Sequence, residues 1–193
     1  MDTNLKQLIS NEFTKCAKSP AYFLKKYCYI QHPIKGKLLF DLYPFQENSI
    51  KEFEDNDYNI VLKARQLGFS TLVAGYALWL MIFHRDKSIL VIATKQETAK
   101  NLVTKVQYMH KMLPIWLRGK LITENKLSLQ FSNGSQIKAI ARSKDAGRSE
   151  ALSLLILDEC VGPDTTISIR NKNTGEIKKI PIAEFYNMKG VLT

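Results

Sequence analysis

The sequence predicts an α/β protein, with a parallel-rich sheet flanked by helices and a short β-hairpin after it. Three observations predict this. From residue 59 onward, short apolar runs alternate with segments of helical period, the pattern of a parallel sheet with helices on both faces. The run Leu152-Ser153-Leu154-Leu155-Ile156-Leu157 has the length and composition of a buried strand and ends in the acidic pair Asp158-Glu159. Beyond Cys160 the period changes to strict alternation.

Taken in order, residues 4–30 read as helix broken near Ser19-Pro20, with Tyr22, Phe23, Leu24, Tyr27 and Ile30 as its apolar face. Lys37 to Tyr43 reads as a short strand and Phe45 to Phe53 as a helix. Then follow a strand at Asn59-Ile60-Val61-Leu62, a helix from Phe69 to Phe83, and a strand from Ser88 to Ala93. A second helix runs from Glu97 to Leu113, where Ala99, Leu102, Val103, Val106, Met109 and Leu113 share one face and Pro114 ends it. Leu127–Phe131 and Gln136–Ala141 read as strands joined by Ser132-Asn133-Gly134. After the junction, Thr166 to Arg170 alternates, Asn171 to Gly175 supplies a turn, and Glu176 to Ile182 returns as a hairpin. Ala183 to Met188 reads as the start of a helix. The 34 residues from Cys160 to Thr193 cannot bury a core alone.

Composition limits the function. The chain has 193 residues, 45% of them hydrophobic, enough for one good core and a small appendage. Its net charge is +10; residues 160–193 hold five basic and three acidic side chains, so +8 falls on residues 1–159. That excess suits a polyanion such as DNA, and equally a merely soluble basic surface. Cys16, Cys28 and Cys160 are too few and too scattered for a disulfide framework or a zinc site. The N-terminus lacks a signal-peptide core. The longest apolar run, Leu72 to Phe83, falls short of the ~20 residues a bilayer span needs. A reducing cytosol and no membrane are the expectation.

Between the strand at 59–62 and its helix lies Lys63-Ala64-Arg65-Gln66-Leu67-Gly68-Phe69-Ser70-Thr71. Backbone N–H groups at such a strand-to-helix turn cradle phosphate. Gly68 and Ser70 fit the G-x-x-x-x-G-K-[ST] pattern, whereas Phe69 stands at the lysine and Lys63 at the first glycine. A tight turn without ligand is the competing reading. If phosphate binds, Lys63 or Arg65 supplies its counter-charge and the Ser70 hydroxyl ligates Mg2+. Asp158 then holds the same Mg2+, and Glu159 orients and deprotonates an attacking water. Together these residues describe an incomplete P-loop nucleoside triphosphatase.

Read together, they resemble the ATPase domain of the large terminase subunit of tailed bacteriophages, over most of residues 1–159. The specific stretches are Leu62 to Ala74, Ile89 to Val106, and Gly147 to Glu159. The resemblance implies a motor that uses ATP and Mg2+ to drive double-stranded DNA into a capsid. It also implies a C-terminal nuclease, a portal and a small terminase subunit as partners, and work in the cytoplasm of an infected bacterium. It implies that Arg65 is the functional loop arginine. The lysine many members carry is replaced by Phe69, so Lys63 and Arg65 both stand as candidates for the second cation. Tyr43-Pro44-Phe45-Gln46 resembles the adenine-reading element, with Gln46 placed to pair with adenine. Together with Gly68, Ser70 and Thr71 these complete the nucleotide site. Gly147-Arg148 is open to two readings, a phosphate sensor or a turn.

Across the junction, Cys160-Val161-Gly162-Pro163-Asp164-Thr165-Thr166-Ile167 resembles the first block of an intein of the Hint fold. That resemblance implies that Cys160 attacks the carbonyl of Glu159 in an N-to-S acyl shift. The later Thr-x-x-His block and the terminal His-Asn pair are not in this chain. A complementary chain would supply them if the intein is split; a sequence that stops early is the other reading. The expected organisation is therefore 1–159 as the N-terminal part of a terminase ATPase and 160–193 as an N-terminal intein piece, the whole a precursor joined to its second half by trans-splicing and inactive alone. Two alternatives remain open: a stand-alone P-loop ATPase, and a DNA-binding fragment with no splicing activity.

Overall fold

The computed structural model describes residues 3–64, 66–141, 151–158, 164–171, 174–181 and 184. The chain divides into two units, Met1–Asp158 and Glu159–Thr193.

The first unit opens with α1 (Thr3–Lys18) and α2 (Pro20–Tyr27), an antiparallel ribbon of β1 (Tyr29–His32) and β2 (Gly36–Leu39), and α3 (Pro44–Asp55). Ser19 caps α2 by accepting from the Tyr22 N–H, and Pro20 sits in its first turn, so the chain breaks helix there at little cost. The Glu12 carboxylate accepts from Lys26 Nζ at 2.6 Å, Tyr22 Oη at 2.6 Å and Tyr27 Oη at 2.9 Å, which locks α1 to α2. The Lys26 ammonium, helped by the two tyrosines, holds the Glu12 carboxyl down at about 2.

α4 (Phe69–Phe83) is apolar on nearly all sides and is surrounded accordingly, packing against α2, α3 and α5 (Gln96–Met112). α5 turns Ala99, Leu102, Val103, Val106 and Met109 onto a five-stranded sheet of order β4-β5-β6-β3-β7. β3 (Ser88–Ala93) lies between β6 (Gln136–Ala141) and β7 (Leu154–Asp158), parallel to both. Its unbroken apolar run is what a strand covered on both faces requires. β4 (Leu121–Asn125) and β5 (Ser128–Phe131) pair antiparallel, and β5 continues antiparallel onto β6, so the sheet is mixed. Asn133, in the β5–β6 turn, donates to the Met81 and His84 carbonyls and so caps the C-terminal end of α4.

The helix expected from Phe69 to Phe83 and the strand from Ser88 to Ala93 are found with those bounds, and all six residues expected on the second helix's core face are buried. Three expectations fall short: the helix read to residue 30 ends at Tyr27, with Tyr29 and Ile30 in β1; the strand read from Lys37 to Tyr43 spans Gly36–Leu39; and Asn59-Ile60-Val61-Leu62 forms no strand. A strand exists only through its ladder partner, and among the described residues none pairs with this segment. Ile60 is 59% exposed. β4 was not foreseen, because it is short and holds only two apolar residues.

In the second unit, β8 (Thr166–Arg170) and β9 (Ile177–Pro181) form the expected antiparallel hairpin. The expected helix at 183–188 lies outside the described residues apart from Glu184. No helix among the described residues is long and apolar enough to cross a membrane. Cys16 and Cys28 are buried free thiols.

One buried and one half-buried histidine make stability depend on pH. His110 stacks on Phe131 at 4.8 Å and its Nε2 lies 2.9 Å from the Gly119 carbonyl, while His84 Nε2 is buried without a hydrogen-bond partner. Burial pushes both rings below the ordinary 6.5. The folded state then binds fewer protons than the unfolded chain below that value. The contribution of the neutral rings is complete above about pH 6.5 and is lost as pH falls below it. Thermal unfolding should show a lower midpoint at pH 5.5 than at pH 7.5, with a smaller difference in His110→Gln.

Candidate nucleotide and metal site

The loop before α4 passes through two left-handed residues, Gln66 (φ 65°) and Gly68 (φ 70°), the second being the residue that caps the helix. No side chain caps α4, and its first helical hydrogen bond runs from Leu72 N to Gly68 O. The N–H groups of Phe69, Ser70 and Thr71 therefore stand at a positive helix end without intrahelical partners. This is the arrangement that accepts a phosphate.

Gln46 supports the loop from beneath. It is 1% exposed; its Nε2 donates to the Leu67 carbonyl at 3.1 Å and its Oε1 accepts from the Tyr43 N–H at 3.1 Å. A Cβ on Gly68 would meet that amide at 3.1 Å, so glycine is required there both for its backbone and for the close approach of Gln46. The adenine contact expected of Gln46 has no support in this geometry, since its amide bonds the Leu67 carbonyl of the loop at one end and the Tyr43 N–H at the start of α3 at the other. Gln46→Ala would strip two partners from the loop and from the start of α3. It should cost about 1–3 kcal/mol in urea unfolding and weaken nucleotide binding.

Phe69, in place of a lysine, is 7% exposed and packs between Phe45 (6.4 Å between centroids) and Phe53 (6.5 Å). The position supplies core packing and no cation. Tyr43 stacks on Phe45 at 5.7 Å, and both rings reach the surface. Lys63 is exposed at the start of the loop. Arg65, Glu159, Cys160 and the Gly147-Arg148 pair lie outside the described residues.

The decisive contact joins residues far apart in sequence. Ser70, in the first turn of α4, donates its hydroxyl to Asp158 Oδ2 at 3.0 Å. Asp158 ends β7 opposite Ala93, the last residue of β3, so the pair sits at the carboxyl ends of the parallel strands. Open α/β sheets bind ligands at that end. Two oxygens on neighbouring vertices of an octahedral Mg2+ at 2.0–2.1 Å lie about 2.9 Å apart, so Ser70 Oγ and Asp158 Oδ2 fit such an ion. No group of three or more His, Cys, Asp or Glu that could hold a metal occurs among the described residues. An ion held here would take its other ligands from phosphate and water, as Mg2+ commonly does. Thr71, half-buried, follows in the same turn.

The family model for the terminase large subunit, T4-like-virus type, N-terminal part, matches residues 60–169, more than half of the chain. The chain belongs to this terminase family. A structural comparison agrees on the fold: the crystal structure of the HK97 bacteriophage large terminase matches with a TM-score of 0.57 at 18% identity. That match covers 77% of this chain and 38% of the HK97 terminase chain, so the present chain spans well under half of that protein's length. Within the family match fall the loop, α4, β3, α5 and β7; it also runs past the Asp158-Glu159 junction to residue 169.

Tertiary contacts define two features that the sequence did not reveal: Gln46 as a brace, and Phe69 as part of an aromatic stack. Each depends on α3 lying beside the loop, and neither has a local pattern.

Proposed function

We propose that residues 1–159 are the nucleotide-binding N-terminal part of a phage DNA-packaging ATPase. The observation that supports this most is the Ser70–Asp158 pair beside the open N-terminus of α4. In this reading the α4 N–H groups hold the ATP phosphates, and Lys63 or Arg65 neutralises them. Ser70 and Asp158 hold Mg2+, which when bound draws negative charge from the phosphate oxygens. Glu159 positions and deprotonates the attacking water. The net charge of +10 suits double-stranded DNA. Portal and small terminase subunit as partners, and the infected bacterial cytoplasm as the place of action, follow from membership of the family. Alone, the chain binds Mg2+ and ATP and turns over negligibly. Hydrolysis by the isolated chain should not exceed that of Glu159→Gln; turnover at the level of an intact motor would refute this.

A second reading concerns residues 160–193. The boundary between compact units falls between Asp158 and Glu159, one residue before Cys160, and β8–β9 forms a hairpin of its own. Both favour an intein piece. In the acyl shift the Cys160 sulfur bonds to the Glu159 carbonyl carbon, the Glu159–Cys160 peptide C–N bond breaks, and the freed amine takes the thiol proton. The continuation of the family match to residue 169 favours the contrary view, in which these residues are still terminase. Intact-mass analysis of the reduced chain mixed with a complementary C-terminal chain separates the two. Trans-splicing gives a product joining 1–159 to new sequence and releases 160–193, and Cys160→Ala abolishes it. An unchanged mass would remove the splicing reading.

A further inference from the structure

Gln46 stands at the third helical position of α3, and both ends of its amide are engaged by the protein itself. Its Oε1 accepts from the Tyr43 N–H at 3.1 Å, as a glutamine at that position does in a capping box. Its Nε2 donates to the Leu67 carbonyl at 3.1 Å. Gly68 closes on the same amide, since a Cβ there would lie 3.1 Å from Nε2, and Gln46 is 1% exposed. Reading adenine takes the donor and the acceptor of one amide together. Gln46 could turn both toward a base only by releasing the loop that leads into the phosphate-binding end of α4. At this residue, reading the base and holding the loop exclude each other.

A second observation is independent of the amide. Beside the loop, two aromatic rings open to solvent: Tyr43 is 62% exposed and Phe45 39%. Their centroids are 5.7 Å apart and their planes differ by only 8°. Phe45 lies in turn 6.4 Å from Phe69 at 17°, and Phe69 follows Gly68 directly at the head of α4. The three rings form a ladder from the first residue of α4 to the surface, with Tyr43 outermost. An exposed ring beside a phosphate site suits a stacked base. Stacking asks only for a π-face, which every base has, and it grows with ring area. It therefore favours purines over pyrimidines and ranks adenine with guanine.

We propose that this site takes purine nucleoside triphosphates as a class, adenine and guanine alike. Tyr43 stacks the base, while the N-terminus of α4 and the Ser70–Asp158 pair hold the phosphates and Mg2+. The inference rests on the nucleotide-site reading above and widens its substrate beyond ATP. Selection acts on the triphosphate and on ring area rather than on the hydrogen-bonding edge of the base.

The test is titration calorimetry of the full chain in Mg2+ with non-hydrolysable ATP, GTP and CTP analogues and with inorganic triphosphate. A bidentate amide contact to adenine discriminates by about fivefold to over a hundredfold, so without one the ATP and GTP analogues should bind within about fivefold of each other. The CTP analogue should bind more weakly than either. Tyr43→Ala keeps the backbone N–H that Gln46 accepts from. It should weaken both purine analogues by about tenfold and leave inorganic triphosphate unchanged. Gln46→Ala should weaken both purine analogues by one common factor; a loss confined to the ATP analogue would mark Gln46 as an adenine reader and overturn the inference. A wild-type preference for either purine above about fivefold, or purine affinities unmoved by Tyr43→Ala, would overturn it as well. If neither inorganic triphosphate nor the ATP analogue binds, the nucleotide-site reading falls; if both bind and ATP is preferred over GTP, only the inference about the base falls.

Discussion

Replacing Asp158 with alanine should remove the Mg2+ dependence of ATP binding and lower the affinity in Mg2+ by about 10–100-fold. The carboxylate sits 3.0 Å from Ser70 Oγ and gives the pair its negative charge, so its loss takes away the ionic half of the metal site. A charge-assisted interaction of this kind is worth about 1.5–3 kcal/mol, which sets that range. Titration calorimetry with and without Mg2+ reads it directly. Ser70→Ala should act in the same direction and more weakly, because it removes a neutral ligand. Equal affinities for wild type and Asp158→Ala in Mg2+ would mean that the pair is only a helix-to-strand tether.

The largest effect on stability is expected from Phe131→Ala. Phe131 is fully buried in β5, its ring lies against His110 at 4.8 Å, and a Cβ on Gly119 would come within 3.1 Å of it. Truncating a buried phenylalanine costs about 3–5 kcal/mol, a large fraction of the 5–15 kcal/mol that holds a typical domain folded. Urea unfolding should show the midpoint falling with little change in slope. Gly119→Ala should cost less, since the ring can give way by a few tenths of an ångström. A Phe131→Ala midpoint within error of wild type would place that ring outside the cooperative core.

What the sequence revealed and what it hid follow from range. α4 and β3 are legible because each carries its own signal: a long apolar helix after a glycine turn, and an unbroken run of apolar residues between polar flanks. The core face of α5 is legible for the same reason, through its helical period. Residues 59–62 carry an equally good strand signal and form none, because pairing is a property of two segments and no described segment pairs with them. The Ser70–Asp158 pair was legible across 88 residues only because loop chemistry and carboxylate chemistry each suggested the same ion. The bracing role of Gln46 was not legible, since its partners, the Leu67 carbonyl and the Tyr43 N–H, are set by how α3 meets the loop.

If Ser70, Asp158 and the N-terminus of α4 form one Mg2+–nucleotide site, a crystal structure of this chain with Mg2+ and a non-hydrolysable ATP analogue should show an ion bonded to Ser70 Oγ. Asp158 should bind that ion directly or through one water, and phosphate oxygens should sit on the N–H groups of residues 68–71. Nucleotide bound elsewhere, or phosphates at the loop with the Ser70–Asp158 hydrogen bond intact and no ion beside it, would rule the site out.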